Sequence, residues 1–213
     1  MTSNNLPTPN DPAKDNLPTR RTSQNEDETS PRPSSDLQSD PQIEPALEAF
    51  LSGDNEALAV LYQAYREECY RFVYRYTENE QLSIDVVQDA FLRIQQYRHS
   101  YNPAKASFKT YLFQVAYHRM VERLKREGRL RKFLPFLFTS PSRPAQEEQL
   151  TEKISIREAL KQLSEDKRAV ILLVYYHDLS LQETAKVLNI PLGTAKSRLH
   201  YAIRQLKAML EVE

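Results

Sequence analysis

The stretch from Gly193 to Leu210 carries Lys196, Arg198, Arg204 and Lys207 and no acidic residue. Its apolar residues Ala195, Leu199, Ala202, Leu206 and Met209 recur at three- and four-residue steps, so they form the inner stripe of a long helix. The residues that stripe does not need are Thr194, Lys196, Ser197, Arg198, His200, Tyr201 and Arg204. Thr194 and Ser197, near the helix start, can reach phosphates or base edges, and Lys196, Arg198 and Arg204 can pair with phosphate or guanine. Just upstream, Ser180 and Glu183 have capping-box spacing, Leu181 to Leu188 forms one short helix, and Asn189-Ile190-Pro191 reads as a turn. Short helix, turn and long basic helix make a helix-turn-helix whose second helix fits the major groove. The same geometry also occurs in folds that bind no DNA.

A second group of residues with binding chemistry lies at 98–132, where 10 basic and 2 acidic residues leave a net +8. Aromatics interleave with the charge: Tyr97, Tyr101, Phe108, Tyr111, Phe113 and Tyr117 beside Arg98, Lys105, Lys109, Arg119, Arg123, Lys125 and Arg126. Single-stranded nucleic acid suits that mixture, because bases stack on rings for about 1–3 kcal/mol each while cations follow the backbone. Helical spacing also makes Phe108, Tyr111 and Leu112 candidates for the core. The loop from Tyr97 to Lys105 is a candidate for holding an unstacked base.

These two basic surfaces sit in a chain of 213 residues whose formal net charge is zero. Residues 1–45 carry 4 basic and 8 acidic side chains and 46–97 carry 4 and 9, so the cations are segregated, the footprint of a polyanion-binding protein. Cys69 is the single cysteine, which excludes an intrachain disulfide and a cysteine-rich metal cage and fits a reducing compartment. The longest apolar run, Ala169 to Tyr176, has 8 residues against the roughly 20 that cross a bilayer. With no apolar leader either, the expectation is a soluble, cytoplasmic chain without direct membrane insertion. Gly53, Gly128 and Gly193 are too scattered for a phosphate-cradling loop, and no nucleophile, metal cluster or suitably spaced carboxylate pair stands out. The reading is therefore of a non-enzyme with no cofactor, metal or small-molecule substrate.

The elements that must position these surfaces read as all-α. Residues 1–45 hold 8 of the 13 prolines and no aromatic, which marks a disordered tail. In residues 46–128, Leu58, Leu61, Tyr65, Cys69, Phe72 and Tyr76 mark one amphipathic helix, and Leu82, Val86, Ala90, Ile94 and Tyr97 a second. A third starts after Ser107, a plausible N-cap, and is expected to stop at Gly128. Residues 129–149, with Pro135, Pro141 and Pro144, read as a linker that carries the apolar patch Phe133 to Phe138. Helical periodicity resumes near Gln149, and 150–213 forms a second small domain, with Ser164 as the N-cap of the helix around Ala169 to Tyr176.

With these residues in hand, a resemblance is clear. LYQAYREECYRFVYRYTENEQLSIDVVQDAFLRI followed by SFKTYLFQVAYHRMVERLKRE resembles sigma region 2, and ALKQLSEDKRAVILLVYYHDLSLQETAKVLNIPLGTAKSRLHYAIRQLKAML resembles sigma region 4. Both in this order, with no helical domain between, is the layout of the extracytoplasmic-function sigma factors of bacterial RNA polymerase. The resemblance covers about residues 46–128 and 150–210. It implies two helical domains on a flexible linker, one binding core polymerase and the −10 promoter element, the other the −35 element.

Residue by residue, the resemblance implies core-polymerase contacts from Asp85, Gln88, Asp89, Phe91 and Arg93. It implies −10 contacts from Tyr101, Asn102, Lys105, Ser107, Phe108, Lys109, Tyr111, His118, Arg119 and Arg123. The −35 readers would be the seven side chains named above on the last helix. Core polymerase, promoter DNA and an anti-sigma factor are the implied partners. Gln95 and Tyr111 stand where tryptophan is usual, His118 where asparagine is common, and Tyr201 and Ile203 where arginine is frequent, so promoter preference does not transfer. The 22 residues from Arg129 to Leu150 reach at most about 75 Å, more than the roughly 50 Å of one and a half duplex turns, so both grips can engage together. Two alternatives remain: a helix-turn-helix regulator that does not bind core polymerase, and a helical nucleic-acid-processing enzyme.

Overall fold

A computed structural model describes residues 42–133 and 155–210, and among these every regular element is helical. The tail up to residue 41, most of the Phe133–Phe138 patch, and the periodicity expected from Gln149 to Ile154 lie outside the described residues.

Helix α1, Ile43–Ser52, places Ile43, Ala46 and Phe50 on one buried face and ends at Gly53, whose φ of 117° suits glycine far better than other residues. Residues 43–45, expected within the tail, belong to this helix instead. Ile43 is buried, and Pro45 sits within the first turn, where its missing N–H costs nothing. Helix α2, Ala57–Thr77, buries Leu61, Tyr65, Cys69, Phe72 and Tyr76, the stripe legible in the sequence. Helix α3, Glu80–Gln96, starts on Asn79, whose side chain accepts from the Leu82 N–H. It buries Leu82, Val86, Ala90 and Ile94, while Tyr97 is half exposed beyond its end.

Helix α4, Phe108–Phe133, begins where Ser107 accepts from the Thr110 N–H. It does not stop at Gly128. A glycine inside a helix costs about 1 kcal/mol, and the arginines, leucines and glutamate on either side favour helix enough to carry it through. Gly53 is the one glycine at positive φ among the described residues, so Gly128 lacks the left-handed geometry that ends helices.

The C-terminal helices are α5, Ile156–Gln162, α6, Glu165–Ile171, α7, Leu181–Leu188, and α8, Leu192–Leu210. A capping box on Ser155 and Glu158 starts α5, a signal the sequence reading passed over. Ser164 takes the N-cap position of α6 without a side-chain hydrogen bond. Past Ile171, α6 widens into a π-helical turn, Leu172–Tyr176, that buries Leu172, Leu173 and Val174. Asn189, in the left-handed region at φ 52°, turns the chain from α7 into α8.

The described residues fall in one compact unit with a continuous hydrophobic cluster. Helix α7 packs on α4 and the π-helical turn on α2, so the two halves meet instead of standing apart on the linker. The sequence could not show this, because the inner stripe of α4 and the wide apolar face of α6 each look like the core of their own half.

Candidate nucleic-acid and polymerase interfaces

Helix α8 turns its cations outward. Ala195 and Ala202 are buried and Leu199, Leu206 and Met209 half-buried, while Lys196, Ser197, His200, Tyr201 and Arg204 are exposed. Thr194 is half-buried at the helix start, and its carbonyl accepts from the Ser197 hydroxyl at 3.0 Å. Arg204 lies over the Tyr201 ring at 5.3 Å, a cation–π contact that aims both groups the same way. Arg198 differs. It bonds Asp166 of α6 at 2.7 Å, and nearby Lys167 donates to Gln205 at 2.9 Å, so these residues brace α8 on its support. The capping box of Ser180 and Glu183 fixes the start of α7, the helix preceding the turn.

On α3, Asp85 and Asp89 are about a third exposed and Gln88 and Arg93 are exposed, forming an outward acidic face. Phe91 is not on that face. It is 4% exposed and meets Tyr62 edge-on at 4.9 Å, so its role is to seat α3. The face also carries two residues that the sequence reading missed, Ile84 and Leu92, 37% and 55% exposed. Their signal was available: both are aliphatics lying off the buried stripe, eight residues apart with Gln88 midway.

The basic helix α4 shares its charge with this face. Arg123 donates to Asp89 at 2.6 Å and to Asp85 at 3.3 Å, which joins a residue expected on DNA to two expected on polymerase. Arg119 bonds Glu122 at 2.9 Å, and His118 is exposed. Several aromatics expected on nucleic acid are core. Tyr101 is 7% exposed, donates to the Ala106 carbonyl at 3.1 Å and packs edge-on against Phe108, itself 3% exposed. Neither offers an open ring face. Both follow from the tight loop after α3, which folds its aromatic residue back under α4 and leaves Asn102 and Lys105 outside. Tyr111 is half-buried beside Tyr101, with ring centroids 5.1 Å apart. Ser107 is spent on capping α4.

Lys109 is buried. Its Nζ lies 2.5 Å from Glu68 of α2 and donates to the His177 carbonyl at 2.9 Å. The His177 ring, 1% exposed, stands edge-on to both Phe72 and Phe113. At 3.6 Å its Nδ1 is beyond hydrogen-bond reach of Glu68. Burial opposes the Glu68 charge, yet the contacts with His177 and Lys109 prevail and hold its carboxyl below the usual range. Burial also pushes the His177 imidazole below its ordinary value, with Lys109 and Arg75 acting the same way and Glu68 opposing them.

The packed chain therefore takes up fewer protons at His177 than the unfolded chain does, and its stability falls as the pH drops below about 6.5. Glu68, shifted down, supplies stability that is present above its ordinary value and lost only in stronger acid. Thermal unfolding followed by circular dichroism should give a lower midpoint at about pH 5.5 than at about pH 7.5. The variant His177→Leu should flatten that difference, and equal wild-type midpoints would refute this account.

Among the described residues no helix is long and apolar enough to cross a membrane, and no group of three or more His, Cys, Asp or Glu could hold a metal ion. The family model for Sigma-70 region 2 matches residues 61–130 and that for Sigma-70, region 4 matches residues 159–208. The ECF RNA polymerase sigma factor SigL of Mycobacterium tuberculosis is 33% identical over 171 residues, 76% of this chain and 96% of that protein. The chain belongs to the ECF RNA polymerase sigma factors. SigX of Bacillus subtilis, of the same family, is 25% identical over 74% of this chain and 85% of its own length.

Two solved sigma factors share the fold. RpoE, in complex with the anti-sigma factor NepR from Bartonella quintana, has a TM-score of 0.59 at 22% identity, covering 73% of this chain and 97% of that one. CnrH, in complex with the cytosolic domain of CnrY, has a TM-score of 0.59 at 21% identity, covering 81% and 99%. In this sigma factor α2 to α4 are thus the region 2 elements and α5 to α8 those of region 4.

Proposed function

We propose that this ECF sigma factor docks on core RNA polymerase through the outward face of α3, holds the opened −10 strand along α4, and reads the −35 duplex with α8. The observation that carries this reading is the acid-free outward face of α8, presented by a capped helix-turn-helix in the same chain as an acidic, partly apolar docking face. Asp85, Gln88, Asp89 and Arg93 make polar contacts to a basic groove on polymerase, and Ile84 and Leu92 fill its apolar floor. Tyr101, Phe108 and Phe91 act as supports, and Asn102, Lys105, Tyr111, His118 and Arg119 supply the −10 contacts. Thr194, Lys196, Ser197, His200, Tyr201 and Arg204 supply those to the −35 element, with Arg198 positioning α8.

The chain performs no chemistry itself, since RNA synthesis belongs to the polymerase, and it works in the cytoplasm where that enzyme does. The relatives solved with NepR and CnrY support an anti-sigma factor as a third partner.

Run-off transcription with bacterial core polymerase, this chain and a genomic promoter library should yield discrete starts that core alone does not give. Absence of start-site selection would defeat the reading. In the same system, Lys196→Ala combined with Arg204→Ala should reduce the salt slope of −35 duplex binding by about 2 and leave core binding unchanged. An unaltered slope would remove both residues from the interface.

A further inference from the structure

A cavity of about 550 Å³ opens where the C-terminal half of α2 meets α5 and the π-helical turn, at the junction of the two halves. Small-molecule sites span roughly 300–1,000 Å³. None of the residues assigned above to polymerase or DNA lines it. Its charge is lopsided, because Arg71, Arg75, Arg157, Lys161 and Arg168 line it together with a single carboxylate, Glu78. Lys161 and Arg157 each meet that carboxylate at 2.8 Å, and their contacts hold it below the usual carboxylate range although burial opposes them. One negative charge cannot neutralise two cations. Both cations stay exposed, so each can reach a second anion.

Arg75 goes further, since it forms no ion pair among the described residues and rests its guanidinium 4.7 Å from the centre of the Tyr176 ring. Arg168 is a wall. It donates to the carbonyls of Leu160, Lys161, Leu163 and Tyr76, which leaves little of it for a ligand. Rings supply the rest of the lining. Tyr70 and Tyr74 lie nearly parallel, 9° apart with centroids at 5.8 Å, and Tyr74 and Tyr176 keep 37% and 39% of their surface exposed. Tyr76 and Leu160 are buried and close the inner side. Tyr176 ends the π-helical turn, a distortion that recurs at functional sites.

Cations alone would suit any anion, and rings alone any flat apolar group, but both within one cavity select a ligand that has a flat ring and several negative charges. We infer that this cavity binds a nucleotide, with the base among the tyrosine rings and the phosphates against Arg75, Arg157 and Lys161. Stacking on the rings and charge-assisted hydrogen bonds from the cations supply the two parts of its recognition. The site is independent of the promoter and polymerase contacts assigned above. Because α2 and α5 both build its walls, a bound nucleotide adds to the stability of the packed chain by mass action.

The probe is ATP, which joins a base to three phosphates. Titration calorimetry with the full-length chain should show saturable binding, and the thermal midpoint should rise with ATP concentration. Adenosine and inorganic triphosphate carry one part each, and each should bind about tenfold or more weakly than ATP. Equal affinity for triphosphate would reduce the site to an anion trap and overturn the nucleotide assignment, as would the absence of saturable ATP binding. Arg75→Met keeps an unbranched stem at an exposed position, so it should weaken ATP binding about tenfold and leave the ligand-free midpoint near its original value. Undiminished ATP affinity in that variant would also defeat the proposal.

ATP is also a polyanion that the open cations of α8 attract, so its location is tested separately. Photolabelling with 8-azido-ATP should mark residues 70–78 or 156–176, and Lys196→Ala with Arg204→Ala should leave ATP affinity unchanged. Labelling confined to α8, or loss of ATP binding in that double variant, would place the nucleotide on the DNA-reading helix and refute the cavity.

Discussion

Replacing Asp89 with arginine should weaken binding to core RNA polymerase by about 100-fold, near 2.7 kcal/mol, the scale of removing one member of a desolvated charge pair and leaving repulsion in its place. Asp89 has two jobs in the structure, because the Arg123 guanidinium contacts it at 2.6 Å while a third of its side chain faces solvent. A single substitution therefore does not distinguish docking from bracing. The exchange Asp89→Arg with Arg123→Asp does. It restores the bridge between α3 and α4, so a docking role for Asp89 predicts that core binding stays lost. Recovery of binding in the double variant, measured by titrating labelled chain with core polymerase, would show that Asp89 serves only to hold Arg123, and the docking face would have to be redrawn around Gln88 and Leu92.

The second large effect concerns Lys109. Changing it to methionine keeps most of its packing volume and strands Glu68 in the junction, at a cost of about 2–4 kcal/mol. That range lies a little below the usual figure for breaking a buried pair because the Glu68 side chain is 20% exposed. Urea unfolding should show the loss as a lower midpoint. Combining Lys109→Met with Glu68→Leu removes both charges and should recover more than half of it, since an apolar pair of similar size costs no desolvation. If Lys109→Met were neutral, the lysine would be a solvated cation, available to DNA as its sequence neighbours suggest.

Lys109 marks the boundary between what local spacing reveals and what it hides. The buried stripes of α2 and α3 follow from local periodicity, and the Ser180–Glu183 capping box from a three-residue spacing, so both are legible in the amino-acid sequence. The exposure of Lys196 and Arg204 on α8 is equally plain, because the apolar stripe of that helix leaves them on its opposite side, whereas the pairing of Arg198 with Asp166 is not. Lys109 and Tyr101 are different. Each lies in a basic, aromatic stretch and reads as a surface residue, but Glu68 stands 41 positions before Lys109 and His177 stands 68 after it. No window short enough to show helical period contains all three. Arg98 is a similar case, reaching back to the Phe50 carbonyl and to Asn55 across more than 40 residues.

By itself the sequence determined helices as the regular elements of the described residues, the inner stripes of the main helices, two segregated cationic segments and the resemblance to sigma regions 2 and 4. Those are consequences of short-range spacing and of how charge is distributed along the chain. Tertiary structure alone decided which cations are free, which aromatics are core, and that region 4 closes over the start of α4. Burial and pairing depend on partners distant in the chain, and a lysine's environment changes with the one carboxylate that folding brings to it.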